Sequence, residues 1–363
     1  MNRRELLAGL VRVEQAMERR AGRFLRDRPG WHLTVTPYAG HASETRAHLG
    51  ARVVVRRRER SERGGRRGAL LASLGRYLSV EAAGEQVRVD VAGQQVSTVS
   101  GPEGYVELAV EVPTLQAGWH QLRYELAEPG SAPVEGRMLV VDPMARLGVV
   151  SDIDDTVIQT GLTRLWEAVR MTLLVPESER VPLAGGAELY RGLVCRDGGR
   201  APLFYVSTGA WNFYDMTARF LERHGFPPGP LLMTDWGLGD AGWRFHEDAA
   251  TFKSRMIGKL LDEYPWLSWV LVGDAGQADA QAYAAVARAY PDRIQAIYIR
   301  AVPPYSTVRA TGVRQVADEL AGLGVPMLLV RDSVEAAEHA HRLGLLDDEH
   351  LAAVRTAVAH DPA

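Results

Sequence analysis

Leu147-Gly-Val-Val-Ser-Asp-Ile-Asp-Asp-Thr-Val157 decides the fold of this chain. A short apolar run stops abruptly at Asp152, Asp154, Asp155 and Thr156, which reads as a buried strand delivering carboxylates to the exposed carboxyl edge of a sheet. Open α/β sheets place their ligands at that edge. Three acids crowded into four positions repel one another unless a cation neutralises them, so the motif points to Mg²⁺ before it points to any substrate.

Outward from this stretch the pattern repeats. Apolar runs at 147–151, 203–207, 231–233, 269–273, 294–299 and 327–330 alternate with helical segments at 212–224, 251–263, 278–289 and 313–323. That alternation predicts a Rossmann-like parallel sheet with crossover helices. Upstream, from Trp31 to about Val141, the apolar period falls to two, in segments such as 51–56, 86–92, 104–110 and 120–126 separated by glycine-rich and charged turns. Short strands at this spacing predict an antiparallel β-sandwich. Residues 5–27 carry Leu6, Leu10, Val13 and Met17 at helical spacing among arginines, an amphipathic helix with a basic side that packs on its own domain or lies on an anionic membrane. The expected domains are therefore an N-terminal helix at 1–30, a sandwich at 31–143 and the parallel α/β domain at 144–363. The run 56–67 holds seven arginines diluted by Glu59 and Glu62, and reads as a solvated loop.

At 363 residues, two domains are the default. A net charge of -3 argues against a dedicated nucleic-acid partner. Cys195 is the only cysteine, so an internal disulfide is excluded and a reducing, cytoplasmic location fits. Arg12 and Glu14 interrupt the first apolar run too early for a signal peptide, and no stretch is long enough for a transmembrane segment.

Four pieces fall at the ends of successive predicted elements: Asp152 to Thr156, Ser207-Thr208, Lys253 at a helix start, and Gly273-Asp-Ala-Gly-Gln-Ala-Asp279. Each alone is an ordinary loop or surface residue type. Together they supply what phosphoryl transfer needs, which is mostly positioning and neutralisation of charge. Asp152 is the candidate nucleophile and Asp154 the candidate acid/base. Mg²⁺ would bridge Asp152 and Asp274, Ser207 and Lys253 would meet the phosphoryl oxygens, and Asp279 would hold Lys253 or support the metal. Asp155 reads as a turn or capping residue. An EF-hand beginning at Asp152 would need Gly and Glu where the chain has Val157 and Thr163. Gly237-Leu-Gly-Asp-Ala-Gly242 matches dinucleotide spacing but opens no helical pattern and reads as a loop.

These motifs resemble those of the haloacid dehalogenase superfamily. More narrowly, Phe204 to Asp215, Gly229 to Gly237, Phe252-Lys253, Leu271 to Asp279 and Ala296 to Arg300 look like the catalytic domain of the actin-patch-associated phosphatidate phosphatases of fungi and their bacterial relatives. The resemblance covers roughly 145–335. It implies a haloacid-dehalogenase-type fold with a short cap and a Mg²⁺-dependent phosphatase converting phosphatidate to diacylglycerol. It makes Asp152 and Asp154 catalytic, Ser207, Thr208 and Lys253 phosphate-binding, Asp152, Asp154 and Asp274 metal ligands, and Asp279 a supporting residue. Gly209-Ala210, Ala275 and Ala280-Gln281 depart from the family's pattern without removing a group that has a chemical role. They bear on the substrate, because loops near a site set preference.

A phospholipid substrate implies transient contact with a membrane surface. Residues 161–176, rich in Leu, Trp, Val and Met, follow the nucleophile and fit either a lipid-accepting cap or a packed segment. Two other readings stay open: the same chemistry on a soluble phosphomonoester, and a membrane or protein interaction module carried on a phosphatase scaffold.

Overall fold

The computed structural model describes residues 24, 28–57, 80–128, 131–153, 156–157, 183–234, 248–276, 278–302 and 306–360, leaving aside the side chains of Ala210 and Asn212. The helix expected at 5–27, apart from Phe24, lies outside the described residues. So do the arginine-rich run from 58 onward, Asp154, Asp155, the segment 161–176 and the glycine pattern at 237–242. Between Val140 and Val141 the chain divides into two compact units.

The first unit is built from β1 (Trp31–Ala42), β2 (Arg46–Arg57), β3 (Val80–Glu81), β4 (Gln86–Val91), β5 (Gln94–Val99), β6 (Tyr105–Glu111), β7 (Gly118–Leu126) and β8 (Val134–Val140). In β4 the alternation is plain: Val87, Val89 and Val91 are buried while Gln86 and Arg88 are exposed. A sandwich of two stacked sheets is the expectation here; the strands instead form one hydrogen-bonded path, β3-β2-β1-β8-β7-β4-β5, with β6 also paired to β2. Its pairs are antiparallel except β1 with β8, which run parallel at Gly40 to Ala42. Leu33, Leu49, Val89, Tyr124 and Met138 share one core although their strands are spread along that path, so the sheet curls around its own apolar face. The bend has a local cause. The register of β1 with β2 shifts between Tyr38 and His41, and Gly40 sits there with no room for a side chain, since a Cβ would lie 2.7 Å from the His48 carbonyl oxygen.

The second unit contains β9 (Leu147–Ser151), α1 (Gly186–Cys195), β10 (Leu203–Ala210), a 3-10 turn (Trp211–Phe213), α2 (Tyr214–Arg223) and β11 (Leu231–Thr234). It continues with α3 (Ala249–Glu263), β12 (Ser268–Asp274), α4 (Asp279–Ala289), β13 (Ile294–Arg300), α5 (Thr307–Ala321), β14 (Met327–Val330), α6 (Ser333–Arg342) and α7 (Asp348–Ala359). All six strands are parallel, in the order β11-β10-β9-β12-β13-β14. Counted from β9 this is 3-2-1-4-5-6, the order of a doubly wound sheet. Every residue of β9 is buried, as a strand covered on both faces requires. One face, with Val150, Phe204, Val206, Trp269, Leu271, Ile297 and Ile299, packs against α3, α4 and α5. On the other, Tyr298 reaches His339 of α6, its hydroxyl 3.0 Å from Nδ1. The chain reverses winding between β9 and β12, and sheets of this kind bind ligands at the carboxyl ends of such a pair.

Candidate active site

β9 and β12 run in register, Ser151 opposite Val272, so Asp152 and Asp274 emerge side by side where the winding reverses. The Asp152 N–H donates to the Val272 carbonyl at 2.9 Å, which extends the ladder by one rung and fixes the residue at the edge. Below it the Ser151 hydroxyl donates to the Asp152 carbonyl at 2.5 Å. That proton being used, Tyr190 of α1 donates its own to Ser151 Oγ at 2.6 Å. Burial above all raises the Tyr190 pKa and keeps the phenol protonated for this role.

Lys253 reaches the same point from the other face. Asp248 caps α3 by accepting the Thr251 N–H at 3.0 Å, which sets where the helix starts and so where Lys253 falls. The ammonium is fully buried, with Nζ 2.7 Å from Asp152 Oδ1 and in a short hydrogen-bonded ion pair with Asp279 Oδ1. Burial alone would lower the lysine pKa, but Asp152 and Asp279 outweigh it and raise it. Asp279, the first residue of α4, turns its other oxygen to the Asp274 N–H at 2.9 Å. Gly273 makes this approach possible, because a Cβ there would stand 2.5 Å from Asp279 Oδ2. Asp274 Oδ1 in turn accepts the Gly276 N–H at 2.5 Å. Tyr283, one turn along α4, donates to the Val272 carbonyl at 2.9 Å.

Ser207 and Thr208 are buried at the end of β10, the strand next to β9. Ser207 Oγ accepts the Gly209 N–H at 2.9 Å. Asp152, Lys253, Asp274 and Asp279 are thus brought into one buried cluster, with Ser207 and Thr208 at the neighbouring strand end. Thr156, read only as part of the motif, is buried with its hydroxyl 3.4 Å from Asp152 Oδ2. Sequence reasoning passed over Ser151, Tyr190 and Tyr283. Of these, Ser151 alone had a signal, as the polar last residue of an apolar run.

The donor set fits a hard divalent cation. Among the described residues, Asp152, Asp274 and Asp279 each offer a carboxylate oxygen, all buried and all within 4.8 Å of one another. Asp279 spends one oxygen on Lys253 and the other on the Asp274 N–H, which ties its carboxylate to holding the centre together.

The second unit is thus a doubly wound parallel α/β unit with a buried carboxylate–lysine centre at its switch point. Residues 147–301, which hold the whole centre, match the family model "Phosphatidate phosphatase APP1, catalytic domain". The chain is 29% identical over 154 residues to Phosphatidate phosphatase APP1 of Saccharomyces cerevisiae, covering 42% of this chain and 26% of that protein. It is 26% identical over 156 residues to an uncharacterized protein of Schizosaccharomyces pombe, covering 43% of this chain and 25% of that protein. The match therefore spans about a quarter of the length of these curated relatives. Together the family match and the Saccharomyces relative support a phosphatidate phosphatase-like hydrolase. Among solved structures, a carbohydrate acetylesterase from Xanthomonas citri aligns over 91% of this chain and 76% of its own at 11% identity, with a TM-score of 0.33, too slight a likeness to bear on fold or chemistry.

Proposed function

We propose that the second unit is a Mg²⁺-dependent phosphatase of the haloacid dehalogenase type that hydrolyses phosphatidate to diacylglycerol and phosphate. The observation that carries this reading is the buried Asp152–Lys253–Asp279 arrangement beside Asp274, inside the segment that matches a phosphatidate phosphatase catalytic domain. Asp152, with Lys253 at Oδ1, attacks phosphorus, and the P–O bond to the lipid breaks as the new one to the aspartate forms. Asp154, two residues on, protonates the leaving alkoxide and then takes a proton from the water that cleaves the aspartyl-phosphate. Ser207 and Thr208 donate to the non-bridging oxygens. Lys253 pairs with Asp152, and Asp279 holds both Lys253 and the backbone of Asp274 in place. Asp152, Asp154 and Asp274 would hold Mg²⁺, which supplies neutralisation of the phosphoryl charge when bound.

Among the described residues no helix is long and apolar enough to cross a membrane, so the enzyme would meet its lipid by transient surface contact. Vesicles containing phosphatidate, assayed for phosphate release with Mg²⁺ beside a panel of sugar and nucleotide phosphates, test the reading. A preference for the lipid supports it. A preference for a soluble ester replaces the substrate, and no release from any ester rejects the chemistry.

A further inference from the structure

Lys253 presents a problem of charge. Its ammonium is fully buried and already held by Asp152 and Asp279, so one donor at most is left for a phosphoryl group that arrives with two negative charges. Asp274 adds a further carboxylate to the same edge. A phosphoryl dianion entering this cluster needs cationic groups besides Lys253 and a metal ion.

Two arginines lie on the β13 side of Asp274. Arg300 ends β13 as the register partner of Asp274, and its carbonyl accepts the Ala275 N–H at 2.8 Å, which ties it to the carboxylate loop. It lies on the same face of the strand as Tyr298, the face turned to α6, and its Nε is buried. Burial first, then the carboxylates of Asp152 and Asp279, raise the Tyr190 pKa, while the Ser151 hydrogen bond and the Arg300 charge lower it, so Arg300 is electrostatically coupled to the residue beneath Asp152. Arg309 approaches from the first turn of α5, where Ser306 caps the helix by accepting the Arg309 N–H at 3.3 Å. Its Nη1 is 3.6 Å from the point that a Cβ on Gly276 would occupy, and that point is 2.9 Å from Asp274 Oδ1. Arg300 thus ends the strand beside Asp274, and the Arg309 guanidinium lies near the loop that follows Asp274.

We infer that Arg300 and Arg309 form the anion-recognition side of this centre, two guanidinium groups that meet the phosphoryl oxygens across Asp274 from Lys253. This rests on reading the centre as a phosphoryl site. Arginine suits the task because its planar fork matches two oxygens at once and it stays charged at any working pH. The pair also separates two functions that a carboxylate cluster otherwise merges, since carboxylates attract the metal while guanidinium groups attract the phosphate.

The test uses the full chain, with Arg300→Gln, Arg309→Gln and Arg300→Lys. Binding of inorganic phosphate in the presence of Mg²⁺ is followed by calorimetry, Mn²⁺ binding by electron paramagnetic resonance, and folding by thermal unfolding. Each glutamine variant is expected to weaken phosphate binding by about tenfold, while Mn²⁺ binding stays level or tightens because a repelling charge is gone. Arg300→Lys is expected to recover part of the phosphate affinity. Unchanged phosphate affinity in either glutamine variant overturns the assignment. So does a parallel fall of phosphate affinity, Mn²⁺ affinity and unfolding temperature, which marks a structural role. Wild-type protein that binds no phosphate overturns the phosphoryl-site reading together with this one, whereas normal wild-type binding that survives the substitutions overturns the arginine assignment alone.

Discussion

Lys253 Nζ lies 2.7 Å from Asp152 Oδ1 with neither side chain exposed, α3 bringing the lysine to the aspartate at the end of β9. A buried ion pair adds little net stability over an apolar pair, but losing one partner leaves the other charge stranded. The arrangement is therefore costly to disturb from either side.

Replacing Lys253 by Met strands Asp152 and Asp279 beside each other. Thermal or denaturant unfolding is expected to show a loss of about 3–5 kcal/mol. A loss below about 1 kcal/mol would mean that the carboxylates find other partners. The sign of the pH effect follows from the raised lysine pKa: the pair's contribution is fully present below the ordinary lysine value of 10.5 and is lost only as pH climbs beyond it.

Gly273→Ala drives a methyl group into Asp279 Oδ2 and displaces the carboxylate that steadies both Lys253 and the Asp274 backbone. Overpacking of this kind is expected to destabilise the unit by about 1–3 kcal/mol. Phosphate release is expected to fall further than stability alone accounts for, because Asp274 loses its support. Wild-type activity in a folded Ala variant would show that Asp279 does not need this geometry.

The first unit carries its own acid sensitivity. His41 stacks on His48 with ring centroids 4.9 Å apart, and burial first, with the neighbouring His48 second, lowers its pKa from 6.5 to about 3. The fold thus requires the neutral ring, so its contribution is intact above pH 6.5 and declines as pH falls toward 3. At pH 5 the loss is about 2 kcal/mol. Chemical unfolding at pH 7.5 and pH 5 measures it, and His41→Gln is expected to flatten the difference. An equal slope in that variant would assign the acid sensitivity elsewhere.

Much of the second unit was legible because a strand buried on both faces writes itself as an unbroken apolar run. The runs at 147–151 and 327–330 coincide with β9 and β14, and the other four begin or end within three residues of their strands. The site residues at strand ends followed from those runs. Asp279, 26 positions from Lys253, was legible as holding it or supporting the metal, and the two are paired; the pairing of Lys253 with Asp152, 101 positions away, was not legible, since only the packing of α3 against the sheet makes it. Tyr190 was illegible for the same reason, and α1, α6 and α7 had not been read as helices. In the first unit β5 escaped notice because none of Gln94–Val99 is fully buried, which leaves no apolar alternation to read. The curl of that sheet depends on a register shift between Tyr38 and His41, and register is a tertiary property.

The most direct measurement of the central claim is phosphate release from phosphatidate vesicles by the wild-type chain and by Asp152→Asn, each with Mg²⁺ and with a chelator. Release is expected from wild-type protein with Mg²⁺ only, with a fall on the order of a thousandfold or more in a variant that unfolds cooperatively like the parent. Release by Asp152→Asn at the wild-type rate, or release that survives the chelator undiminished, would contradict the claim.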